Sequence, residues 1–203
     1  MKRWQGRRAA LSALGLLMAF ALPQGASAIA QPKATDGRLV SALTRYCVAN
    51  QSDTDKVVLA VGADGQPMGE LPYALVGPMG GPFSSYRAWS LPQGRDQQPV
   101  VLVVGVEKLP GGARHICAVR GVEEGDVIAE VRALMGGARP FLKEPRMWAA
   151  FGWEEDGRIR EPTPDEMGAD IAKTPHRVAF TIIREEDQVS INVARVVVDA
   201  VQK

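Results

Sequence analysis

Apolar residues along this 203-residue chain recur at spacings that alternate between helical and extended. Leu39, Val40, Leu43, Tyr46 and Cys47 fall at three- and four-residue steps, which lines one helical face and puts Cys47 on its buried side. Asp36 stands where an N-cap belongs, and Asn50 to Asp53 breaks the pattern. Lys56–Ala63 follows the cap candidates Ser52 and Asp53 and reads as a second helix, although Val57-Val58-Leu59 also suits a strand. Residues 62–83 are dense in Gly and Pro, from Gly62 through Gly80-Gly81-Pro82, and predict a long irregular excursion. Ser85–Leu91, with Tyr86 and Trp89, predicts a short strand. Pro99–Glu107 (PVVLVVGVE) is apolar on both faces, as a central strand requires. Leu109 to Gly112 turns the chain, and Ala113–Arg120 returns antiparallel with His115, Cys117 and Val119 on one face.

A second series follows. Glu123-Glu124 opens a helix carried by Val127, Ile128, Val131, Leu134 and Met135, and Gly136-Gly137 ends it. Arg146–Trp153 reads as a strand leading to a hairpin at Asp156-Gly157. Pro162-Thr163-Pro164-Asp165-Glu166 starts a short helix that reaches about Lys173. Arg177–Arg184 and Val189–Val198 flank a polar turn and form a hairpin. The class is α+β: a mainly antiparallel sheet packed by two to four helices, in one domain over residues 36–203. The order helix, tryptophan strand, apolar strand, return strand occurs over 36–120 and again over 123–198, which suggests two similar halves.

The first thirty residues differ from the rest. Lys2, Arg3, Arg7 and Arg8 precede an uncharged run over 9–22, then Pro23, Gly25 and Ala26-Ser27-Ala28. Basic start, apolar middle and small-residue end make a secretory signal peptide over 1–28, with 29–35 as a flexible lead-in. The run is shorter than the roughly 20 residues that span a bilayer as a helix. Cleavage after Ala28 fits, and Ala28-Ile29-Ala30 offers a second site after Ala30. Arg7-Arg8 loosely resembles a twin-arginine signal, but Gly6 precedes the pair and ordinary export is the better reading. The expected location is the periplasm or the medium, with no membrane insertion after cleavage.

Removing that leader takes four of the 24 basic residues and none of the 23 acidic ones, so the mature charge is −3. Such a balance argues against a nucleic-acid partner. Cys47 and Cys117 are the two cysteines, and in an exported chain they predict one disulfide.

Candidate chemistry is sparse. His115 and His176 are the two histidines, without metal-ligand spacing. No G-x-S-x-G and no phosphate loop occur. Neither catalytic residues nor a metal or cofactor site is predicted. Glu154 and Glu155 beside Trp148 and Trp153 sketch a sugar cleft, and with His115 they define the enzyme alternative, a cell-envelope hydrolase using acidic residues. The preferred expectation is a periplasmic binding or protein-interaction module without catalysis, its partner a protein or small ligand of the envelope. Its expected surface is Tyr73, Met79, Phe83, Tyr86 and Trp89, with Trp148 and Trp153 second. A structural, self-assembling envelope component is the third reading.

Overall fold

In the computed structural model, residues 37–62, 64–92, 97–122, 125–168, 174 and 176–198 are described. Their nine strands join in one antiparallel sheet. The first four are β1 (Gln66–Met68), β2 (Ser85–Leu91), β3 (Val100–Leu109) and β4 (Gly112–Val122). The rest are β5 (Pro140–Lys143), β6 (Met147–Glu155), β7 (Arg158–Arg160), β8 (Arg177–Glu185) and β9 (Gln188–Val198). Across the sheet the order is β1-β2-β3-β4-β9-β8-β6-β5, and β7 extends β6. The α+β, mostly antiparallel expectation stands.

One face carries the main core. Helix α1 (Arg38–Ala42) runs into a π-helical turn, Leu43–Val48, and with α2 (Thr54–Val61) and α4 (Val127–Leu134) covers Leu102, Val104, Cys117, Val119, Val193 and Phe180. Asp53 caps α2 through Lys56 N–H, and Asp126 caps α4 through Ala129 N–H. These caps decide the strand-or-helix ambiguity at Val57-Val58-Leu59: the segment is helical, burying Val57 and Val61. The opposite face is covered beside β3 and β4 by α3 (Tyr73–Val76) and a 3₁₀ turn (Gly77–Met79), whose Met79 packs on Ala88, Val103 and Ala118. Apolar cover on both sides explains why β3 has no polar alternation. Burying such a methionine or leucine side chain contributes about 1.5–3 kcal/mol.

Cys47 in the π-helical turn and Cys117 on β4 are bonded at 2.08 Å, with Cα atoms 5.4 Å apart. The bridge joins the first helix to the inner face of the sheet, as the pattern of Cys117 and Val119 anticipates. Among the described residues no helix is long and apolar enough to cross a membrane.

Read outward from the β4–β9 pair, both halves of the sheet run through the same kind of meander. Leu102 pairs with Val119, and 76 residues later Val178 pairs with Arg195; Val104–Cys117 likewise corresponds to Phe180–Val193. The halves differ in their insertions. Sixteen residues, 69–84, separate β1 from β2, against three between β5 and β6.

Several expectations change. The excursion over 62–83 is not wholly irregular: it contains β1, α3 and the 3₁₀ turn, too short to give a periodic signal. Five α-helical segments are present among the described residues instead of two to four; three of them, α1, α3 and one over Pro164–Gly168, are only four or five residues long, too short for a periodic apolar face. Pro140–Lys143 forms an edge strand where none is predicted. Helix α4 starts from Asp126. The proposed openers Glu123-Glu124, the cap Asp36, the leader 1–28 and its lead-in lie outside the described residues.

The short helix α5 (Pro164–Gly168) shows how local chemistry replaces burial. None of its residues is buried. Glu166 Oε2 accepts from Thr163 N–H, and Thr163 Oγ1 accepts from Glu166 N–H at 3.4 Å, a capping box. Arg160 clamps both Glu166 oxygens at 2.8 Å. That guanidinium, and then the Thr163 N–H, hold the Glu166 carboxyl at about 2, well below the usual 4.5. A lowered folded-state value gives stability that is present above about pH 4.5 and lost as the pH falls toward 2. Thermal unfolding of wild type and Glu166→Gln across that window should therefore show a flatter acid limb in the variant. Parallel limbs would show that the clamp contributes nothing.

Candidate functional site

Among the described residues, concave regions lie beside the β5–β6 edge, along β2 and at one end of the sheet, and the last two hold residues singled out from the sequence. Of these two, the first is a groove of about 800 Å³ along β2, lined by Met68, Glu70, Phe83, Tyr86, Arg87 and Trp89. Pairing of β1 with β2 covers only Ala88, Trp89 and Ser90. Residues Ser85–Arg87 therefore have no strand on their outer side among the described residues. Phe83 and Tyr86 meet with ring centroids 5.8 Å apart. Gly105 makes room for them, since a Cβ there would stand 2.5 Å from the Phe83 ring. The Tyr86 hydroxyl accepts from Leu71 N–H at 2.7 Å, which fixes the groove wall.

The expected aromatic surface is thus only partly a surface. Tyr73 is 72% exposed, and Phe83, Tyr86 and Trp153 are half-buried. Met79, Trp89 and Trp148 are buried, at 0%, 7% and 2% exposure. Met79 and Trp148 are thereby corrected to core positions; Trp89 belongs to the core and offers only an edge to the groove. The reason is the pleat. Trp148 sits at an inward position of β6, and Trp153, five residues on, points to the other face, where its ring lies 5.7 Å from that of His176. Glu154 and Glu155 diverge for the same reason. Glu155 turns to solvent near Arg160, so the two carboxylates and two tryptophans do not converge on one cleft.

The second region is a cleft of about 540 Å³ at one end of the sheet. It gathers both histidines with Asp53, Glu154, Asp156 and Arg195. His115 on β4 lies directly across from Arg195 on β9. Arg195 is 5% exposed. Its Nε donates to Glu154 Oε2 at 2.8 Å and its Nη1 to Ser52 Oγ at 3.2 Å. Ser52 is fully buried, and both Ser52 and its neighbour Gln51 hold φ of 55°, a conformation costly for residues with a side chain. His176 Nδ1 contacts Glu154 O at 3.1 Å. Glu154 and His115 were candidates from the sequence; Arg195 and His176 were not. The available signal for Arg195 was its place after Val189, Ile191 and Val193, at the next inward position of an alternating strand, where an unpaired charge is costly.

Among the described residues no three His, Cys, Asp or Glu side chains are grouped to hold a metal ion. No protein-family model, no curated protein and no solved structure matches the chain.

Proposed function

We propose that this protein is an exported binding module, without catalysis, that takes an extended segment of a partner protein along the outer edge of β2. The observation that carries the reading is the incomplete pairing of β2. Ser85–Arg87 leave an open edge beside a groove walled by Met68, Phe83 and Tyr86. An added strand would gain main-chain hydrogen bonds at that edge and place alternate side chains against the aromatic wall. Export is supported by the leader-like residues 1–28 and by the Cys47–Cys117 bridge, since disulfides persist in oxidising compartments.

An array of short extended peptides tests the proposal. Binders should protect from hydrogen exchange those amides within Ser85–Arg87 that point away from β3, and Phe83→Ala should weaken them about tenfold or more, roughly 1.4 kcal/mol. Binding that ignores Phe83→Ala and leaves those amides unprotected would remove the edge as the site. Absence of any binder would remove the reading itself.

A further inference from the structure

We infer that the segment taken at the β2 edge carries an acidic side chain facing Arg87, next in sequence to an apolar one facing Phe83 and Tyr86. The inference rests on the proposed edge binding and names the chemistry of its partner. The pleat of β2 separates two sides. Tyr86 and Ala88 face the smaller core with Met79, whereas Trp89 and Leu91, one position out of phase, face the main core. Ser85 and Arg87 share the phase of Trp89, so they stand on the side opposite the aromatic wall. Both are exposed and both line the groove. Among the described residues the Arg87 guanidinium has no hydrogen-bond or ion-pair partner.

Charge fixes which side takes the acid. Glu70 and Arg87 are the charged residues that line the groove. Glu70 adjoins Leu71, whose N–H donates to the Tyr86 hydroxyl, so its carboxylate belongs to the rim of the aromatic side. An added strand repeats the alternation of β2, and its successive side chains fall on one side and then the other. On the aromatic side an apolar residue meets Phe83, Tyr86 and Met68, and an acid would be repelled by Glu70. On the other side a carboxylate meets the Arg87 guanidinium and the Ser85 hydroxyl, both donors, while a lysine or arginine would meet a like charge. The mature chain as a whole carries a charge of −3, so its overall field disfavours an acidic segment. A preference for acid is therefore local to Arg87.

Capped, fluorescently labelled peptides Ser-Thr-Val-X-Val-Thr-Ser, with X glutamate, glutamine or lysine, test this on the mature protein. Their valines share one side and X the other. Fluorescence anisotropy should rank glutamate about fivefold tighter than glutamine, with lysine weakest, and raised salt should narrow the gaps. Arg87→Gln should level the series and Arg87→Glu should invert it, with lysine now tightest. Because Arg87 is exposed, both variants should melt as wild type does. Equal affinities for the three peptides, with the outward amides of Ser85–Arg87 protected, overturn the acid preference and leave the edge reading standing. So does a ranking that Arg87→Glu leaves unchanged, since the charge would then be read elsewhere. Failure of all three to bind overturns the inference, and if the wider peptide array is also blank the edge reading falls with it.

Discussion

Replacing Cys47 and Cys117 together by alanine is expected to lower the unfolding free energy by about 4 kcal/mol. The two residues are 70 apart in sequence, so the bridge closes a long loop and removes a large part of the freedom of the unfolded chain. Both cysteines are fully buried, one in the π-helical turn that continues the first helix and one in the middle of β4. The alanines leave no polar group behind, which keeps the measured loss close to that of the cross-link plus a small void. Against a typical net stability of roughly 5–15 kcal/mol, such a loss brings the protein near the threshold of folding. Urea unfolding of oxidised protein, reduced protein and the double variant checks it. The last two should share a lower midpoint. A shift worth less than about 1 kcal/mol would mean that the unfolded chain already holds these segments together.

Glu154→Ala has the second largest expected effect. Arg195 and Glu154 side chains are 6% and 14% exposed, so truncating the acid leaves a guanidinium in the sheet with its charge uncompensated. Breaking one side of such a pair costs about 3–5 kcal/mol. Glu154→Gln should lose less, because the amide oxygen still accepts from Nε. Replacing both partners by apolar residues, Glu154→Leu with Arg195→Met, should recover most of the loss, since no orphan charge remains. A double-mutant cycle by chemical denaturation measures this directly. If Glu154→Ala and the double variant are equally unstable, packing and not charge sets the stability of this corner.

These features were unequally visible in the chain. Val100 to Val106 announced an interior strand because both faces are apolar, and both proved covered. The hairpin at Glu186-Asp187 and the helix ending at Gly136-Gly137 were legible because turns and caps are local chemistry. β1 and β5 were not, since three and four residues containing Pro67 or Pro140 are strands only by virtue of their neighbours. The candidate sites were harder still. Trp89 and Met79 look like recognition residues in a loop-rich stretch, but which side of β2 an aromatic faces is set by register with β3. The end cleft joins residues from the α2 cap, β4, β6 and β9, separated by up to 142 positions between Asp53 and Arg195. No local pattern encodes that meeting; only the sheet order does.

That order also has a consequence for assembly in time. β9 is the last strand in sequence among the described residues, yet it stands in the middle of the sheet, between β4 and β8. During synthesis the β1–β4 segment is therefore complete long before its central neighbour exists. Until then β4 presents eleven residues of open edge, including Ile116, Cys117 and Ala118. An emerging chain in this state is a template for wrong pairing and a substrate for holding chaperones. Arrival of β9 seals that edge along its whole length, 112 against 198 through 122 against 188. The sheet thus closes last at its centre.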